Sequence, residues 1–336
     1  MTSRGRGAGV ALLAAIALVT AAAGYVAPHD PGRQFADFSY APPMLPRVVD
    51  ANGRWRRPFV YPLRLADRLE RRFSEDRDNP MTIHWFSPGA LAQVDESRGP
   101  WLLLGGDALG RDIFARVVRG ARLSLGVSIM AAAGALLMGA FAGALAGFSG
   151  GWADDLVMRI ADIVLILPAI YVVIVLRAAM PLVLSTSQVF LTLVVVLALA
   201  GWPYVARGVR AVVAAERGKE YAEAARAIGA GWWRILLRHL LPASRGFLAV
   251  QATLLMPAFI LAEATLSFVG FGFAEPTPSW GVMLQGAGQT GTLVEAPWLL
   301  SPAAAIVLSV LALYLAAGSD NPPLRSGEAT SPQSTT

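Results

Sequence analysis

Apolar runs of about twenty residues, the length that crosses a bilayer as a helix, recur along this chain and leave few folds open to it. Six spans are expected, over about residues 8–27, 122–148, 160–180, 188–206, 246–270 and 297–317. Only 15% of the 336 residues are charged and 55% are hydrophobic; soluble domains carry about a quarter charged residues. The fold class expected is an all-α polytopic membrane protein with six transmembrane helices.

Loop charge sets the orientation. Between the fourth and fifth spans lie Arg207, Arg210, Arg217, Lys219, Arg226, Arg234, Arg238 and Arg245, against Glu216, Glu220 and Glu223. Between the fifth and sixth lie Glu275 and Glu295 with no Lys or Arg. Basic loops stay in the cytoplasm, so loop 207–245 is expected inside and 271–296 outside. Counting back places the N-terminus in the cytoplasm, in agreement with Arg4 and Arg6. A signal-peptide reading of the first span, cleaved near Ala21-Ala22-Ala23, is the alternative there.

The expected organisation is an N-terminal transmembrane helix over 1–27, an extracytoplasmic loop or small subdomain over 28–121, a five-helix core over 122–317, and a disordered cytoplasmic tail over 318–336. Within 28–121, Asn52-Gly53 predicts a hairpin turn, and "LADRLERRF" (Leu65–Phe73) predicts a short helix. In the second span, Ala131, Ala135, Gly139, Gly143 and Gly147 recur every fourth residue. Small side chains on one helix face let another helix approach closely; packing within the chain is preferred over a homodimer seam.

Catalytic chemistry is not evident. The chain has no cysteine, and His29, His84 and His239 are far apart in sequence, which excludes thiol catalysis and gives no metal-ligand spacing. Gly218-Lys219 is followed by Glu220, so it is not a phosphate-binding loop. "GAGQTG" (Gly286–Gly291) formally matches a dinucleotide fingerprint but has no preceding strand. Asp162, Arg177 and Glu263 are the candidate charges within spans, each near a span end, and local pairing or snorkelling accounts for them better than a proton relay.

Loop 207–245 is much longer than a connection needs. Glu220–Ile228 is rich in helix formers. Gly229 is placed to stop that helix in a left-handed conformation. A second helix is expected from about Trp232 to Leu241, ended by Pro242. Ala224 and Ala225 would offer a nearly bare helix surface.

At this loop the sequence resembles the permease subunits of binding-protein-dependent ABC importers. Their signature is Glu-Ala-Ala, three residues, Gly, nine residues, Ile, one residue, Leu-Pro. Glu223, Ala224, Ala225, Gly229, Leu241 and Pro242 match it, and His239 stands at the Ile position, a variant of the peptide/nickel branch. "LGGDALGRDIFARVVRGARLSL" (Leu104–Leu125), "GGWADDLVMRIADIVLILP" (Gly150–Pro168) and "LAEATLSFVGFGFAEPTPSWGVML" (Leu261–Leu284) are similar to the second, C-type permease of dipeptide and oligopeptide systems, with Gly106 replacing a usual Thr. Segment 28–100 is longer than in that branch, and "AAGSDNPPLR" departs from its usual ending.

The resemblance implies a type I importer permease fold in the bacterial inner membrane. It implies a homologous second permease, two ATPase subunits and an extracytoplasmic substrate-binding protein as partners. No cofactor is expected on this chain; ATP and Mg belong to the ATPases. The seven residues Glu223, Ala224, Ala225, Gly229, His239, Leu241 and Pro242 would form the ATPase-coupling site. Peptides are the expected cargo, with nickel chelates and other small solutes open. The rival reading is a secondary transporter or channel without ATPase partners, against which the scarcity of charge within the spans argues.

Overall fold

The computed structural model describes residues 3–68, 70–168, 171–172, 174–175, 184–288 and 292–318. Four helices are long and apolar enough to cross a membrane. They are α3 (Ile113–Ser149), α5 (Thr186–Arg217), α9 (Arg245–Phe268) and the helical run Pro297–Ala317, whose α-helical part is α12 (Ser301–Ala317). The first expected span appears as α1 (Ser3–Ala21), followed after Ala22 by the short α2 (Ala23–Val26); α1 is apolar but shorter than the four. The third expected span begins within α4 (Gly151–Ile166), and much of the rest of 160–180 lies outside the described residues, as does the tail beyond Gly318.

The stripe in α3 meets α5 of the same chain. A Cβ on Gly139 would lie 2.4 Å from the Val205 Cβ, one on Gly143 2.3 Å from the Ala206 carbonyl oxygen, and one on Gly147 2.6 Å from the Arg210 carbonyl oxygen. Ala131 and Ala135 are fully buried. Without side chains in the way the two backbones touch, and dispersion across that close seam replaces the hydrophobic drive that lipid does not supply. Gly201 of α5 extends the same logic to α9: its Cβ would lie 2.7 Å from the Phe259 ring. Ion pairs fasten α4 to α5, Arg210 to Asp154 and Arg207 to Asp162.

The all-α expectation needs correction between α2 and α3. That segment holds seven short strands, β1 (Arg47–Val49), β2 (Trp55–Val60), β3 (Leu63–Asp67), β4 (Arg72–Glu75), β5 (Met81–Thr82), β6 (His84–Ser87) and β7 (Ala90–Gln93). They make a β1-β2-β5 antiparallel sheet and two hairpins, β3-β4 and β6-β7. The turn at Asn52-Gly53 joins β1 to β2 as expected, with Asp50 Oδ1 accepting from the Asn52 and Arg54 amides. The helix expected over Leu65–Phe73 is instead the β3-β4 hairpin, with Leu65 opposite Phe73. Strand geometry puts Leu63, Leu65 and Phe73 on one face. Leu63 and Phe73 join a core of Met44, Val60, Met81, Ile83, Trp101 and Leu102, and Phe73 stacks on Phe38. Burial of that face overrides the local helix preference of the Leu-, Arg- and Glu-rich run.

This β-rich unit sits on the run before α3. A Cβ on Gly105 would meet the Ala41 carbonyl at 2.6 Å, and one on Gly106 the Phe38 carbonyl at 2.5 Å. Gly106, where the family pattern has Thr, therefore accommodates the chain crossing over it. Asp112 caps α3 by accepting from the Phe114 and Ala115 amides, and its other oxygen bonds His29 Nδ1 at 2.8 Å.

The segment after α9 is held by a second polar cluster. Glu275 accepts from Arg111 (2.6 and 3.1 Å) and Arg116 (2.9 Å), and Asp107 pairs with Arg111 at 2.7 Å. Partial burial opposes ionisation of Glu275, but the Arg111 hydrogen bonds and the two guanidinium charges outweigh it and hold its carboxyl below the usual range. A carboxyl whose folded pKa lies below its unfolded value adds stability above the unfolded value, and loses it as pH falls through the folded one. Thermal stability is therefore expected to fall on acidification below about pH 4.5. Glu275→Gln should remove this pH-dependent contribution and cost about 1 kcal/mol, because the half-exposed carboxylate is partly screened by solvent and buried Arg116 keeps Asp107 at 3.7 Å. Melting of detergent-purified wild type and variant across pH checks both statements.

Candidate functional site

The fourth span runs further than expected, because α5 continues to Arg217; the rest of loop 207–245 folds as two helical pieces laid against the ends of α3 and α5. The first is α6 (Glu220–Ala227), the second begins as α7 (Trp232–Ile235). At the junction of α5 and α6, Glu216 accepts from Lys219 Nζ and from the Tyr221 hydroxyl, both at 2.6 Å. That hydrogen bond, with the carboxylate charge behind it, pushes the Tyr221 phenol up to about 12. Arg217 Nη1 donates to the Phe148 carbonyl at 2.7 Å, placing a cation at the C-terminal end of α3 where the helix dipole favours one.

The end of α6 follows from its sequence. Gly229 has φ +79°. The Gly229 amide donates to the Arg226 carbonyl (2.9 Å) and the Ala230 amide to the Ala225 carbonyl (3.0 Å). These are the two bonds of a Schellman motif, which needs a left-handed residue where Gly229 stands. The second helix differs from expectation. After α7 the chain adopts π-helical turns over Leu236–Leu240, then α8 (Leu241–Ala243). Pro242 does not end the helix but opens α8, where a first-turn proline is tolerated. With no amide hydrogen to return to the preceding turn, Pro242 follows a stretch whose hydrogen-bond register has already widened.

The paired tryptophans fix the loop to α3. Trp232 and Trp233 stack on each other with centroids 3.9 Å apart, Trp232 on Phe148 at 6.1 Å, and Trp233 on Phe141 at 6.4 Å. Arg226 lies over the Phe148 ring at 5.8 Å. Ala222, Ala225, Ile235, Leu236 and Leu240 are buried in the helical core. The loop is thus a ledge packed against α3 rather than a free tether.

The seven residues expected at the coupling site divide into two groups. Glu223, Ala224, Gly229 and His239 are exposed, whereas Ala225 is buried and Leu241 and Pro242 are half-buried. Glu223 has no ion-pair partner among the described residues. His239 lies beside Tyr221, centroids 6.4 Å apart. Sequence reasoning passed over Ile228, an isoleucine 86% exposed next to Gly229. Its signal is a large apolar residue directly before the glycine of the bend. The outward face formed by Glu223, Ala224 and Ile228 combines a free carboxylate, a bare backbone and an unpartnered apolar side chain. Elsewhere, Asp162 is paired with Arg207, buried Glu263 accepts from Ser267 at 2.8 Å, and Arg177 lies outside the described residues. No group of three His, Asp or Glu that could hold a metal occurs among the described residues.

Residues 135–319, which include this ledge, match the family of binding-protein-dependent transport system inner membrane components. The chain belongs to this family. The permease is 40% identical over 210 residues to a putative peptide permease protein of Brucella ovis, covering 62% of this chain and 68% of that relative. It is 37% identical over 228 residues to an oligopeptide transport system permease protein of Bacillus subtilis, covering 67% and 72%. It is 33% identical over 292 residues to a di/tripeptide transport system permease protein of Pseudomonas aeruginosa, covering 87% and 78%. The permease is therefore a transport subunit of an ABC importer in the inner membrane, and ATP hydrolysis belongs to separate ATPase subunits.

Proposed function

We propose that the permease imports peptides, and that the ledge 207–245 is where an ATPase subunit pushes on it. The peptide assignment rests on relatives named for peptide, oligopeptide and di/tripeptide transport. The ledge assignment is carried by one observation: Ile228 is exposed on a face otherwise fixed to α3 and α5. A rigid apolar anchor flanked by a free carboxylate is the kind of hot spot a partner pocket takes. In this reading Glu223, Ala224, Gly229 and His239 meet the ATPase, and Ala225, Leu241 and Pro242 hold them in place. ATP and Mg sit on the ATPases and this chain binds no cofactor. A homologous second permease, two ATPase subunits and an extracytoplasmic binding protein complete the importer.

The arrangement we favour has six spans with the N-terminus in the cytoplasm. The charged ledge and the cation-free 271–296 support it. Ala227 and Ala274 are both exposed, and the chain has no cysteine of its own. Ala227→Cys should react with impermeant maleimide only from the cytoplasm, and Ala274→Cys only from outside; labelling of both from one side sinks the orientation. For the ledge, Ile228→Asp is expected to cut ATPase co-purification by roughly tenfold or more, the cost of losing an apolar anchor. Unchanged co-purification and uptake at equal membrane levels would remove the assignment.

A further inference from the structure

Between them, α1, α3, α9 and α12 enclose an apolar groove of about 700 Å³ lined by Ile16, Ala17, Leu125, Ile129, Ile260 and Leu313. Its volume is that of a site for a sizeable small molecule. The hydroxyls along it are spent inside their own helices: Thr20 donates to the Ile16 carbonyl, Ser128 to Ser124 and Ser309 to Ala305, at 2.7, 2.7 and 2.8 Å. A polar solute would find no free donor there.

The rim differs. Arg122 lines the groove at the C-terminal end of α1, donating to the Thr20 and Ala21 carbonyls at 2.9 and 2.7 Å. Both acceptors are neutral, and no carboxylate pairs with Arg122 among the described residues. Arg119 stands three residues earlier, on the same helix face. Its one carboxylate partner is Asp30, at 3.7 Å and largely exposed, and its buried Nε has no hydrogen-bond partner. One incompletely neutralised guanidinium, Arg122, therefore lines the end of the apolar trough, and a second, Arg119, stands one turn before it on α3.

From this juxtaposition we infer that the groove is a phospholipid site, with one acyl chain between α1, α3, α9 and α12 and an anionic headgroup on Arg119 and Arg122. A phosphate supplies the missing charge and reaches the donors not used on α1, while the chain fills the trough. The lipid belongs to the leaflet that faces the C-terminal end of α1.

The intact permease, purified with its partner subunits and equilibrated in detergent micelles carrying equimolar palmitoyl-oleoyl phosphatidylglycerol and phosphatidylcholine, tests this by native mass spectrometry. Wild type should retain a single phospholipid per permease and prefer phosphatidylglycerol by roughly tenfold, given two basic side chains at the membrane surface. Ala17→Phe, which fills the groove, should retain neither lipid. Arg119→Gln leaves the Arg122 cap on α1 in place and should lower the preference several-fold; this variant decides the matter if Ala17→Phe fails to assemble. Equal retention of the two lipids by wild type, an unchanged preference in Arg119→Gln, or full retention by an assembled Ala17→Phe overturns the site.

Discussion

Gly229→Val is expected to reduce uptake by roughly tenfold or more while leaving the permease inserted and abundant. The residue holds φ +79°, and a β-branched side chain there costs about 1–2 kcal/mol, with each 1.4 kcal/mol worth a factor of ten in population. No atom lies within 4 Å of where its Cβ would go. The damage is therefore conformational and confined to the bend, since nothing in the chain clashes. Gly229→Asn is the informative companion, because Asn enters the left-handed region more readily than a branched residue. Uptake and ATPase co-purification at matched membrane levels should rank glycine, then asparagine, then valine. Wild-type values for Gly229→Val would show that the bend does not carry the coupling.

Gly143→Leu should remove folded permease from the membrane altogether. Its Cβ would lie 2.3 Å from the Ala206 carbonyl oxygen and 2.9 Å from the Ala206 Cα. Backbone cannot step aside as a side chain can, so α3 and α5 must separate along their whole seam. Overpacking a fitted core costs about 1–3 kcal/mol, and here the lost contact between two long helices adds to it. The expected readout is a collapse of the monodisperse peak in fluorescence-detected size exclusion. Gly231→Ala, where nothing lies within 4 Å of the added Cβ, is the control and should leave the peak unchanged.

The candidate ledge was legible in unequal parts. Its first helix, the stop at Gly229 and the seven signature positions follow from residues within a few turns of one another, whereas the π-helical course of the second piece and the place of Pro242 do not. Such features obey local rules of propensity and capping, which a sequence displays directly. Which signature residues face outward was not legible. Ala224 and Ala225 are neighbours, yet one is exposed and the other buried, because the helix is seated by Trp232 and Trp233 on Phe148 and Phe141, some eighty residues distant in sequence. Ile228 stood out only once its neighbours were placed.

The sequence alone determined the membrane class, through run length and the low charge content, and the family, through a signature of fixed spacing. It also determined that α3 carries a small-residue seam, because spacing by four is a property of one helix. Tertiary structure decided which helix fills that seam, and placed α5 there. It turned a helix-prone run at Leu65–Phe73 into a hairpin, because only a strand shares its buried face with Met81 and Trp101. It brought Arg111, Arg116 and Glu275 together across more than one hundred and fifty residues, and set Arg122 on the lining of an apolar groove. Pairings of that kind depend on how long helices cross, and no local periodicity encodes the crossing.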